Sequence, residues 1–180
     1  MSSDPTLVKD RHCGSCTVCC SALTINPLEI DKDHDSFCSS CVPGVGCTKY
    51  DTRPEICRTW HCLWRRMPTL DFNWRPDRSG VVGTMGGPED GYDFTVTWDV
   101  LGPESVVTSR RMIDLVTNSI AAGAGVYLSA PARPGYISGK SLLNGVLGKI
   151  ESDRGIEATR QIIWQELQNA KSMPQIPILP

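Results

Sequence analysis

Apolar and polar side chains alternate most strictly over Tyr92–Val100. Tyr92, Phe94, Val96, Trp98 and Val100 share one face there, and a period of two predicts a half-buried strand. The short apolar run Gly80–Met85 predicts a strand just before it, and the glycine-rich stretch Gly86–Gly91 supplies a hairpin loop. The period then changes. Met112, Leu115, Val116 and Ile120 mark one face of a helix over Ser109–Ala122, stopped by Gly123. Gly125–Ser129 reads as a further strand and Pro131–Gly135 as a loop. A last helix is predicted over Asp153–Lys171, with Ile156, Ile163, Leu167 and Ala170 on one face. Proline recurs through Pro174–Pro180 and bars a helix there. The expected fold is α+β, with a small antiparallel sheet and two or three helices following an N-terminal module of short helices.

That N-terminal module has weak periodicity and strong turn signals, at Asn26-Pro27 and Pro43-Gly44-Val45-Gly46. One short helix is expected from Pro27 to Asp35, capped by Asn26. A second is expected from Pro54 to Arg65, where proline at the first helical position loses no needed amide. The organisation read from this is a mobile lead-in over 1–12, a cysteine-rich module over 13–66, an α+β part over 67–172 packed on it, and a proline-rich tail over 173–180.

Charge narrows the function classes. The net charge is −2, and basic and acidic side chains are equal in number up to Arg66. No basic face for nucleic acid is expected. No apolar run approaches the roughly 18 residues of a membrane helix, and the N-terminus shows no apolar signal core. The expected setting is the cytoplasm, where thiols stay reduced and structural disulfides are rare.

In that setting the cysteines become the main chemical signal. There are nine in 180 residues, all between Cys13 and Cys62. Cys13-x-x-Cys16-x-x-Cys19-Cys20 opens the series, followed by Cys38-x-x-Cys41, Cys47, Cys57 and Cys62. Two residues between cysteines let one tight turn aim two thiolates at one ion. Three cysteines at successive three-residue steps suit the separated corners of a cubane iron–sulfur cluster better than one tetrahedral zinc. Cys19 and Cys20 are adjacent, so their side chains point differently and one of them serves another site or the core. Eight thiolates fill two four-ligand centres, or one centre with the rest structural. Cys57 and His61 are four apart on the expected helix, which makes His61 a candidate ligand. Lys49, Arg53, Arg58, Arg65 and Arg66 surround the last cysteines. Of these, Arg53 and Arg58 are read as donors to sulfur behind the ligands.

The block Gly46-Cys47-Thr-Lys-Tyr50-Asp-Thr-Arg53-Pro54-Glu-Ile-Cys57-Arg58, together with the Cys13–Cys20 run, resembles the YkgJ-type CxxCxxCC family, a zinc- or iron-chelating domain often labelled iron–sulfur-cluster-containing. The resemblance covers about residues 13–64. It implies that Cys13, Cys16, Cys19, Cys20, Cys47 and Cys57 are metal-related, with Cys62 beside them, and it lends weight to Tyr50, Arg53 and Arg58. Cys38 and Cys41 fall in the family's variable middle.

Other motifs fail on their own terms. Gly139-Lys140-Ser141 ends like a phosphate loop, but the glycine required five positions before Gly139 is Pro134. All three histidines lie in the cysteine-rich segment, so no Ser-His-Asp triad can be assembled. The expectation is a cysteine-ligated metal-binding protein holding a [4Fe–4S] cluster for a redox role, as a component of an oxidoreductase, with a protein redox or assembly partner. One or two Zn²⁺ in a non-catalytic interaction module is the alternative. A metal-dependent enzyme of unknown substrate, using His61 or Tyr50, is the third reading.

Overall fold

The computed structural model describes residues 6–23, 30, 32, 36–132, 136–147 and 155–177. In chain order, α1 (Val18–Ala22) precedes a two-stranded hairpin, β1 (Cys41–Val42) and β2 (Gly46–Cys47). Three short helices follow: α2 (Glu55–Thr59), α3 (Leu63–Arg66) and α4 (Pro76–Ser79). Then come β3 (Val81–Gly86), β4 (Thr95–Val100), α5 (Arg110–Ala121), β5 (Gly125–Ser129), β6 (Tyr136–Ile137), β7 (Lys140–Leu142) and α6 (Asn144–Leu147). The described chain closes with α7 (Gly155–Ser172) and β8 (Ile176–Pro177). The fold is α+β. The helix expected over 27–35 falls almost wholly outside the described residues.

The central sheet has the order β3-β4-β5-β7. β3 and β4 form the expected antiparallel hairpin, with Gly83 opposite Trp98 and Val81 opposite Val100. Asp90 and Gly91 both have positive φ, 50° and 84°, and Glu89 and Tyr92 exchange backbone hydrogen bonds across them. That is the two-residue turn whose twist matches a hairpin, so β4 proper begins at Thr95. β4 and β5 run parallel, because α5 carries the chain back across the sheet before β5 begins. β5 is buried at every position, as a central strand covered on both faces should be.

One apolar cluster runs from Cys62, Leu63 and Trp64 through Val96, Trp98, Val126 and Leu128 to Ile163 and Leu167. α3 packs on β3, α5 on β5, and α7 on both β5 and β7. The core is thus continuous between the last cysteine and the sheet. The lead-in is tied to the same junction. Val8 N–H donates to Arg65 O at 2.8 Å. The Arg11 guanidinium donates to the carbonyls of Trp64 and Met67 and lies over the Trp64 ring. At the other end, β8 pairs antiparallel with β6, giving the proline-rich tail a partner at Ile176 and Pro177.

The single helix expected over Pro54–Arg65 is two helices, α2 and α3. Trp60 and Cys62 between them are extended, with ψ of 129° and 159°. The break has a packing reason. Cys62, Leu63, Trp64 and Arg65 are all buried, whereas a continuous surface helix turns about 100° per residue and would expose part of that run. His61 therefore does not share a helical face with Cys57, because α2 has already ended at Thr59.

Candidate metal centre

All nine cysteines are free thiols. The first group is built by a tight turn. Cys16 N–H donates to Cys13 O at 2.9 Å, and Gly14 between them has φ of +54°. Cys19 and Cys20 follow on α1, about 100° apart around its axis. The second group is built by a turn and the hairpin. Cys38 N–H donates to Cys20 O at 2.9 Å, and Cys41 N–H donates to Cys38 O at 2.8 Å. Cys41 and Cys47 are direct partners across β1 and β2. The two groups meet where Gly46 passes Gly14. A Cβ on Gly46 would sit 3.0 Å from Gly14 O, and its φ is +134°, so both space and backbone conformation demand glycine there.

The thiols answer mainly to one another. Desolvation pushes the Cys19 thiol well above its ordinary value, with Cys62, Cys13, Cys16 and Cys20 raising it further. Burial pushes Cys62 up to about 11, against the Arg65 backbone N–H on its sulfur, and Cys13 and Cys16 add to the rise. Cys20 is pushed up to about 12 by burial and then by Cys41, which accepts a hydrogen bond from it, and by Cys38 and Cys47. Each of these groups disfavours a second thiolate beside the first. A cation reverses that logic, because it stabilises several thiolates at once and deprotonates them. Among the described residues, no three His, Cys, Asp or Glu side chains already stand close enough together to hold an ion. Rotation of cysteine χ1 between staggered wells moves each sulfur without moving the backbone.

The segment expected as an irregular connector supplies neighbours that the cysteine spacing does not reveal. Pro76 starts α4 at a position that needs no amide, which places Asp77 in its first turn. The Asp77 carboxylate accepts from the Cys16 thiol; burial works against its charge, but Arg75 holds it below the usual carboxylate range. Arg75 clamps Asp77 with two bonds of 2.6 Å and reaches Ser15 Oγ at 3.4 Å. The Cys16 thiol itself is raised, by desolvation first. Arg65, one turn beyond Cys62, is only 8% exposed. Its Nε and Nη1 are buried with no hydrogen-bond partner. A buried cation with orphaned donors fits a neighbourhood that carries negative charge, as a four-thiolate centre does.

Of the other expected residues, Tyr50 and Arg58 are exposed, and Arg53 and His61 are half-buried. Arg53 lies over the Tyr50 ring at 3.8 Å and donates from Nε to Tyr50 O at 2.9 Å, so its visible partner is the tyrosine. Arg58 is exposed on α2, and His61 is half-buried in the break before α3. Cys57 lies half-buried on α2. An open groove of about 400 Å³ runs beside the hairpin, lined by His12, Gly14, Val42, Gly46, Cys47 and Tyr50 among others. In the second half of the chain, Lys140 is held by both Glu89 oxygens at 2.5 and 2.7 Å, and Ser141 is hydrogen-bonded to Glu166. The Gly-Lys-Ser stretch is therefore committed to partners within the fold.

Comparison with protein-family models, curated proteins and solved structures gives no match. The resemblance to the YkgJ-type family rests on the motif residues alone. No helix among the described residues is long and apolar enough to cross a membrane.

Proposed function

We propose that this chain is a cysteine-ligated metal-binding protein whose thiols hold an iron–sulfur cluster in a redox role. The observation that supports it is the company the thiols keep: the strongest ionisable neighbours of Cys19, Cys20 and Cys62 are other cysteines. The Cys13-x-x-Cys16-x-x-Cys19 spacing favours a cluster with separated iron corners. A bound cluster supplies one-electron transfer. The protein's own part is to keep the thiols together, to exclude water around Cys62, and to set charge nearby through Asp77, Arg75 and Arg65. In this reading the protein works in a reducing cytoplasm and passes electrons to a protein partner.

A second reading, zinc in a non-catalytic module, draws on the hairpin. Cys38, Cys41 and Cys47 come from one turn and one strand pair, which suits a closed tetrahedral site. Anaerobic purification with elemental analysis and an absorption spectrum separates the two. Iron and labile sulfide, with visible absorption bleached by reductant, is the expected result, and Cys16→Ser should lower the metal content. Zinc without iron overturns the iron–sulfur reading. A protein with neither metal overturns both.

A further inference from the structure

We infer that Cys41 and Cys47 form a peroxide-sensitive dithiol, a modification site at which hydrogen peroxide closes a reversible disulfide across the β1–β2 hairpin. The inference rests on backbone register and does not depend on metal binding.

β1 and β2 set the two cysteines directly opposite each other. The backbone hydrogen bonds show which kind of opposition it is. Thr48 N–H donates to Ser40 O at 2.8 Å, one residue outside the pair, and Cys41 N–H donates to Cys38 O at 2.8 Å rather than to Cys47. Cys41 and Cys47 therefore occupy a non-hydrogen-bonded position of the antiparallel ladder. Opposed Cα atoms there are about 4.5 Å apart, and both side chains leave on the same face of the ribbon. A disulfide spans Cα separations of about 4.4–6.8 Å, so the pair lies within reach of a bond. Both are free, half-buried thiols. Other partners for Cys41 are less well placed. Cys38 and Cys41 sit at the two ends of a hydrogen-bonded turn, where Cα atoms stand up to about 7 Å apart. Cys20 donates a hydrogen bond to Cys41, but it stands on α1, outside the two-stranded sheet.

Access favours the same pair. Cys47 lines the open groove with His12 and Tyr50, so a small oxidant reaches it from solvent. In the first step the peroxide O–O bond breaks and the Cys47 sulfur gains an S–OH bond. The thiol proton leaves with the second oxygen as water. In the second step the Cys41 sulfur attacks the Cys47 sulfur, the S–S bond forms, the S–OH bond breaks, and a second water leaves with the Cys41 proton. Two thiols together lose two electrons, and one hydrogen peroxide is reduced to two waters. A dithiol reductant reverses the reaction by thiol–disulfide exchange. The closed bond staples a hairpin that is only two residues to a strand, a ribbon that is marginal by itself. It also withdraws both thiols from any metal.

The test uses the full-length protein, purified with reductant, freed of it, and given hydrogen peroxide in stepwise stoichiometric additions. Remaining thiols are alkylated, and tryptic peptides are read by tandem mass spectrometry. Residues Asp33–Lys49 form one tryptic peptide, which carries Cys38, Cys41 and Cys47. The expected first product is this peptide alkylated at Cys38 alone, with the labels at Cys41 and Cys47 lost together and both restored by dithiothreitol. Cys38→Ser should leave that product in place, and Cys47→Ser should leave Cys41 open to alkylation at the same addition. In guanidinium chloride the preference should vanish, since cysteines nearer in the chain then compete. A Cys38–Cys41 or Cys20–Cys41 bond forming first would overturn the inference. So would Cys41 and Cys47 staying alkylated after the other cysteines have been oxidised, or the same preference persisting in denaturant. The wild-type map needs no variant to fold, so the pairing is decided even if a serine substitution unfolds the module.

Discussion

Gly83 is the point at which the cysteine-bearing segment and the sheet press most tightly together. It lies on β3 opposite Trp98, and Leu63 of α3 comes down on the same spot. A methyl group at Gly83 would sit 2.4 Å from Trp98 Cζ3, 2.8 Å from its Cη2 and 2.9 Å from Leu63 Cδ1. Carbon atoms in good contact are about 3.5–4.0 Å apart, so Gly83→Ala requires the neighbours to retreat by roughly 1 Å. Neither has room. Trp98 is 2% exposed and Leu63 fully buried, and the Trp98 ring is backed by Trp74 with centroids 6.0 Å apart. Overpacking costs about 1–3 kcal/mol, and three simultaneous clashes against buried side chains place this substitution near about 3 kcal/mol. In a chain of this length, 1 kcal/mol moves Tm by about 2–4 °C, so Tm should fall by about 6–12 °C. The assay is thermal unfolding followed by circular dichroism, with Gly87→Ala as the control, since a Cβ there meets nothing within 4 Å. Leu63→Ala should cost about 2–5 kcal/mol alone. Combined with Gly83→Ala it should cost less than the two together, because the new methyl enters the space vacated. A Gly83→Ala protein unfolding within about 0.5 kcal/mol of wild type would refute the close packing of α3 on the sheet.

Two further outcomes follow from other parts of the fold. Asn144 accepts from Val126 N–H and donates to Ala124 O, both at 2.8 Å. Asn144→Leu orphans two backbone groups next to the central strand and should cost at least about 2 kcal/mol, with faster amide exchange at Val126; unchanged exchange would remove the bridge from the account. Arg111 Nη2 lies 2.7 Å from both Asp71 oxygens, and that contact, with the Asn73 N–H, holds the carboxyl below its usual range. A depressed folded value gives stabilisation that is present above the unfolded value and lost as pH falls through the folded one. Arg111→Gln should therefore move the Asp71 titration upward in NMR, and an unmoved titration would show the pair does not persist in solution.

The local periods were legible because each depends on residues close together in the chain. The alternation at Val96, Trp98 and Val100, the 3.6-residue spacing from Met112 to Ile120, and the stop at Gly123 all became elements at or near the expected bounds. The break in the Pro54–Arg65 helix was not legible. It follows from burial of four consecutive residues against a sheet that begins later in the sequence, and no local propensity encodes that demand. The parallel pairing of β4 with β5 is likewise a matter of how α5 crosses the sheet.

For the candidate centre, the sequence alone set the number of thiols, their spacing, and the different directions of Cys19 and Cys20. Which thiols become neighbours was decided by tertiary structure. Cys20 is brought to Cys38, Cys41 and Cys47 by the Cys38 N–H that donates to Cys20 O and by the hairpin that pairs Cys41 with Cys47, and Cys62 is drawn inward by the apolar cluster it belongs to. Asp77 reaches Cys16, and Arg75 reaches Ser15 beside it at a separation of 60 residues, for the same reason. Spacing in a sequence fixes only what a few consecutive dihedral angles can reach. Contacts between distant segments are fixed by the apolar surface each segment must bury, and that is a property of the assembled fold.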